Sequence, residues 1–324
     1  MFYPLALKPC IKDYLWGGTR LKTDFGFACD GEKAAEAWML ACHKDGASTV
    51  ANGEHAGKTL EEVLALWGES ALGGKAAAFP YFPLLIKLID AHDRLSIQVH
   101  PDNAYALKNE GEYGKTEMWY IVDCEPGAQL IYGLNCGVTR EEFRRRALDN
   151  TLTDICQFVP VHKGDVFFIP AGTLHAIGAG ILVAEVQQNS NTTYRVSDYG
   201  RLGADGKPRA LHVDKAADVT VTHPTAVPYG AVGEVAALPG GSVRTLASCE
   251  FFTAQLLRVE TALGVGCADS FTSLLLLEGA ARLLPDGGGE PLELTKGASV
   301  FLPAGCTAHI EAIGGTTEIL SSRV

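Results

Sequence analysis

Paired cysteines are missing from this chain. Its nine cysteines, at 10, 29, 42, 124, 136, 156, 249, 267 and 306, are odd in number and scattered, with no C-x-x-C. That excludes a disulfide framework or a cysteine-zinc ribbon, both of which need short paired spacings. Positive charge is also scarce, with 27 Lys and Arg against 38 Asp and Glu and a net charge of −11. An extended nucleic-acid or anionic-membrane surface would draw its affinity from a positive field that this chain lacks. No stretch approaches the ~20 apolar residues that span a bilayer. The opening residues Met1–Leu5 show neither the basic start nor the apolar core of an export leader. A reduced, cytoplasmic protein without nucleic-acid or membrane partners is the expectation.

What is present is glycine (36), proline (15) and a 47% hydrophobic fraction in 324 residues. This excludes disorder and points to a turn-rich, all-β-dominated fold. At ~150 residues per domain the length suggests two domains. Short aliphatic or aromatic runs bounded by turn residues read as strands: Leu95–Val99, Glu117–Val122, Gln129–Tyr132, Asp165–Ile169, Ile181–Val186 and Ser273–Leu277. Two segments read as helices instead. Thr59 and Thr139 each precede a glutamate by three residues, the signature of a capping box, predicting helices over 59–68 and 139–148.

An internal repeat divides the chain. KGDVFFIPAG at 163–172 returns as KGASVFLPAG at 296–305, displaced by 133 residues. Gly164, Pro170, Gly172 and His175 form G-x5-P-x-G-x2-H, which resembles the second motif of cupins, small jelly-roll barrels. The Asn that often follows in cupins is Ala179 here. In the second copy the histidine, His309, arrives one residue late, which on a strand turns it to the opposite face. The expected organisation is two cupin barrels with a few helices inserted around the first. Residues 1–235 would form a metal-binding catalytic domain and 236–324 a degenerate one without metal, with residues 224–245 as linker.

Gln98 and His100 lie two apart on one predicted strand and share a face, as does Ser96. Glu117 stands at the mouth of an apolar strand, and His175 follows the Pro-Ala-Gly turn. Together Gln98, His100, Glu117 and His175 offer two nitrogens and two oxygens with one negative charge, a set suited to zinc and to Lewis-acid work on a carbonyl. Lys87 interrupts the apolar run FPLLIKLI, where a cation must reach the rim or meet an anion. Arg195 and Arg201, six apart, would both point inward from an extended segment. With Lys115 these cations suggest a small anionic substrate such as a sugar phosphate.

Six segments carry a resemblance: YLWGGTRL (14–21), LSIQVHP (95–101), GKTEMWY (114–120), PAGTLH (170–175), YRVSDYGR (194–201) and LHVDK (211–215). Their combination resembles the short bacterial form of type I mannose-6-phosphate isomerase. The resemblance implies one zinc ion on Gln98, His100, Glu117 and His175, with Arg195 as catalytic arginine and Lys115 as active-site lysine. It further implies that Ser96, Lys87 and Arg201 receive the phosphate. The implied reaction interconverts mannose 6-phosphate and fructose 6-phosphate through a cis-enediol. The base stays open between Lys115, a metal-bound water and a carboxylate such as Glu36, which is equally readable as a structural rim residue. Two other readings compete, an iron-dependent cupin oxygenase and a non-catalytic sugar-phosphate-binding cupin.

Overall fold

A computed structural model describes residues 2–203 and 206–324. Strands dominate, in antiparallel sheets that build two barrels. The first barrel faces a seven-stranded sheet against a five-stranded one; the second faces an eight-stranded sheet against a four-stranded one. Every strand read from the sequence is present, at Ile97–Val99, Glu117–Cys124, Gln129–Leu134, Val166–Ile169, Ile181–Gln188 and Thr272–Glu278. The two-barrel, helix-poor architecture follows the cupin expectation. Among the described residues no helix is long and apolar enough to cross a membrane.

Both expected helices form, as Leu60–Trp67 and Arg140–Leu148. Thr59 and Glu62 make the reciprocal capping box, and Thr139 accepts from the Glu142 amide at 3.1 Å. The Arg140–Leu148 helix packs Phe143 and Ala147 onto the outside of the five-stranded sheet, away from its inner face. Thr139→Ala should therefore cost about 1 kcal/mol of stability and leave turnover unchanged. Urea unfolding would show a lower midpoint with the same slope. Three further helices were not read from the sequence: Arg20–Thr23, Asn103–Asn109 and Val213–Val219. Asn103–Asn109 did carry a signal, since Asp102 caps it by accepting from the Tyr105 amide at 2.8 Å.

The repeat marks equivalent places in the two barrels. Val166–Ile169 and Ser299–Leu302 are both strands; Gly164 and Gly297 precede them with positive φ of 90° and 87°. Register then aligns the positions where chemistry would sit. Ile169 pairs with Glu117, while its counterpart Leu302 pairs with Thr272. His175 pairs with Gln98, while its counterpart Ala308 pairs with Val265. Thr272, Ala308 and Val265 thus stand where the first barrel has Glu117, His175 and Gln98. His309 points outward, exposed, and meets Asp286 at 3.1 Å. The second lumen is filled instead by Leu274, Leu276, Leu283, Val300, Ile310 and Ile319.

Two details correct the expected division. The segment read as a linker contains Tyr229–Gly230, which pairs with Val166–Phe167 of the first barrel, and a hairpin of Val235–Leu238 with Gly241–Ser248. The N-terminal strand Leu5–Lys8 crosses over: Leu5, Ala6 and Leu7 pair with Phe301, Val300 and Ser299 of the second barrel. The barrels also share a core, in which Phe271 packs 5.4 Å from Phe82 and 5.3 Å from Phe301 between ring centroids. Burial of three such rings contributes several kcal/mol at ~25 cal/mol per Å2, so the two halves are built to fold together.

Candidate active site

The first barrel's inner face carries charge that its apolar floor could not tolerate unpaired. That floor is Ile89, Leu95, Trp119, Ile121, Phe167 and Ile177. Above it opens a cavity of about 280 Å3 lined by Trp16, Glu36, Lys87, Ser96, Gln98, Lys115, Glu185, Arg195 and Arg209, among others. That volume is close to the ~300 Å3 lower end for small-molecule pockets. Gly17 and Gly18 let the Trp16 loop reach this wall. A Cβ on Gly18 would lie 2.3 Å from an Asp90 carboxylate oxygen, and one on Gly17 would lie 2.6 Å from Ala35.

Strand pairing brings the ligand candidates together. Gln98 is cross-strand neighbour to both His175 and Arg195. The turn at Gly172, whose φ of +87° a Cβ would strain, returns the chain so that His175 meets that strand. Gly114 allows the segment before Glu117 to press on the Pro101–Asp102 loop, where a Cβ would come within 2.3 Å of backbone. One ligand atom from each of His100, Glu117 and His175 lies within 4.8 Å of the others, and all three residues are buried.

Both imidazoles are held in one tautomer. His100 Nδ1 lies 2.9 Å from the Thr192 carbonyl and His175 Nδ1 lies 2.8 Å from the Thr173 carbonyl. A carbonyl only accepts, so each Nδ1 carries the proton and each Nε2 keeps a lone pair. The two Nε2 atoms approach Glu117 at 3.7 Å (His100) and 3.3 Å (His175). Burial, reinforced by the Lys115 charge, holds both histidines neutral: His100 falls well below its ordinary value and His175 to about 3. Glu117 Oε1 is buried without a hydrogen-bond partner among the described residues, and burial pushes that carboxyl up. Two inward lone pairs beside an orphaned carboxylate oxygen are the donor set of a divalent cation. Gln98 completes it in kind. Its amide nitrogen sits 3.4 Å from His175 Nε2, and a half-turn of the amide presents the oxygen instead.

Around this cluster runs a buried chain of charge. Lys115 contacts Glu117 directly, with His100 Nε2 at 3.2 Å and Glu185 at 3.7 Å. Lys87 lies 3.3 Å from Glu185 and 3.4 Å from Glu36. Burial opposes the Lys87 charge, but those two carboxylates outweigh it and hold its pKa above the ordinary lysine value. Trp119 donates to Glu185 at 2.9 Å and Trp38 to Glu36 at 2.7 Å. Glu36, unassigned from the sequence, is thus an ion-pair partner on the cavity wall. Glu185 was missed, although it interrupts an apolar strand as Lys87 does and pairs with it in register.

The arginines divide. Arg195 lines the cavity and donates from NH1 to the Ala210 carbonyl at 3.0 Å, while its buried Nε has no partner among the described residues. Arg201 is not on the cavity wall. Its strand ends at Ser197, and Tyr199 adopts a left-handed φ of 57°, so the two-residue alternation stops before residue 201. Arg201 turns instead to Asp198 (2.6 Å), the Arg94 carbonyl (2.5 Å) and Asp93 (3.4 Å). Arg209, absent from the sequence reading, takes a place on the wall.

A profile of the phosphomannose isomerase type I catalytic domain matches residues 5–120. A mannose-6-phosphate isomerase of Streptococcus mutans is 37% identical over 322 residues, covering 99% of this chain and 98% of its own. The chain belongs to the type I mannose-6-phosphate isomerase family. A second family member, from Bacillus subtilis, is 38% identical over 304 residues, 93% of each chain. The solved B. subtilis mannose 6-phosphate isomerase superposes with a TM-score of 0.90 at 34% identity over 100% of both chains. The Salmonella typhimurium enzyme shares the fold at a TM-score of 0.76 and 18% identity, covering 100% of this chain and 99% of its own. Membership in this family makes the chain an aldose–ketose isomerase, and Ser96, Gln98, His100, Lys115, Glu117, His175 and Arg195 lie together in its first barrel.

Proposed function

We propose that the protein interconverts mannose 6-phosphate and fructose 6-phosphate through a cis-enediol, using one zinc ion held by Gln98, His100, Glu117 and His175. The observation that carries this reading is the convergence of two carbonyl-locked imidazole lone pairs on the buried Glu117 carboxylate beside the cavity, His100 Nε2 towards Oε2 and His175 Nε2 towards Oε1, which has no hydrogen-bond partner among the described residues. Zinc, when bound, supplies Lewis-acid polarisation of the sugar's O1 and O2. The chain's own residues do the rest. Arg195, a guanidinium on the cavity wall that stays charged despite partial burial, stabilises the negative charge that develops as C2 loses its proton. Lys115 places its side-chain nitrogen at the inner end, against Glu117 and His100, where the proton exchanged between C2 and C1 must be handled. Trp16, Trp119 and Leu95 give the cavity apolar walls. Ser96 presents a buried hydroxyl to the same cavity.

The test is a coupled assay on mannose 6-phosphate before and after stripping with a tight chelator. Activity should vanish and return on adding zinc. Full activity in protein shown to contain no metal would overturn the reading, as would oxygen consumption by an iron-loaded form.

A further inference from the structure

The cations expected at the phosphate are not free to meet it. Lys87 already shares its charge between Glu36 and Glu185, and Arg201 points off the wall. Arg209 differs from both. Its Nε and one NH2 hydrogen grip the two oxygens of Asp198, at 2.7 and 2.6 Å, as a parallel fork. Asp198 is buried and also held by Arg201, so the fork has a fixed base. The NH1 group and the second NH2 hydrogen have no hydrogen-bond partner among the described residues. A guanidinium anchored on one edge presents its other edge, and Arg209 does so on the wall of the cavity.

Its neighbour strengthens the case. Arg195 donates to the carbonyl of Ala210, the residue after Arg209, and both arginines line the same cavity. Burial and then the Arg209 charge lower the Arg195 pKa, so the pair repel one another and an anion would relieve them. The other end of the cavity has the opposite sign, with Lys87 and Lys115 against Glu36, Glu117 and Glu185. A cation suits that end and a phosphate dianion suits the arginine end.

We propose that Arg209, braced by Asp198, anchors the substrate's phosphate and so sets the preference for phosphorylated over free sugar. This rests on the isomerase reading above. Arg209→Ala should raise KM for mannose 6-phosphate and the inhibition constant of inorganic phosphate by roughly 10- to 100-fold, with kcat within a few-fold and zinc content unchanged. Arg209→Lys, which keeps the charge and loses the fork, should fall between. Asp198→Asn should raise both constants without removing any cation from the wall. Wild-type KM and phosphate inhibition in Arg209→Ala would overturn the proposal. Calorimetric binding of inorganic phosphate separates the two readings. Loss of that binding in Arg209→Ala supports the anchor even if the wild type fails to turn over mannose 6-phosphate, which would sink the isomerase reading alone. Equal phosphate binding by both proteins sinks the anchor alone.

Discussion

His100→Ala should leave a folded protein that holds little zinc and turns over mannose 6-phosphate more than ~100-fold more slowly than wild type. The lower bound comes from metal sites generally, where losing a group that merely orients a ligand costs 10- to 100-fold; His100 is proposed as a ligand itself. The substitution removes one of two inward lone pairs and strands the Thr192 carbonyl that fixed it. Stranding this partly buried acceptor costs at most about 1–3 kcal/mol, which a protein whose two barrels share a core should withstand. Lys115 also loses a contact at 3.2 Å, but keeps Glu117 and Glu185. Metal analysis after gel filtration, beside a thermal melt, checks the result. A variant that keeps stoichiometric zinc with wild-type turnover would remove His100 from the site.

The residues behind that prediction were legible because they obey local rules. Gln98 and His100 share a face through the strand's period of two, and Glu117 and His175 sit at the edges of turn-bounded strands. The different lining of the second barrel was legible too, as a one-residue slip that leaves Ala308 in the lumen and His309 outside. What the sequence concealed depends on contacts between distant segments. Leu5–Lys8 belongs to the sheet of residues almost three hundred positions away, and no periodicity announces that. Arg201 was aimed inward by counting an extended chain through Tyr199, where the backbone leaves the extended region. Arg209 reaches the cavity only because its segment folds back beside Arg195, with the His212 amide donating to the Arg195 carbonyl at 2.8 Å. Glu185 obeyed the same rule that singled out Lys87. Both are charges inside apolar strands, and each explains the other.

Arg195→Ala should separate metal binding from chemistry. The Arg195 side chain bonds to no ligand candidate among the described residues and donates to the Ala210 carbonyl, so zinc content should match wild type. In the proposed mechanism its remaining N–H groups serve a charge that appears as the C2 proton leaves, so the loss should fall on kcat. Removing one preorganised donor of that kind costs about 10²–10³-fold. Arg195→Lys should recover little of it, because a point charge on a flexible stem cannot reproduce the planar fork. The split between kcat and KM also distinguishes Arg195 from Arg209, its neighbour on the same wall. An interaction made only in the transition state lowers kcat and kcat/KM together, whereas one made equally with ground and transition states raises KM alone. A rise in KM without loss of kcat in Arg195→Ala would move Arg195 from the reacting carbons to the phosphate.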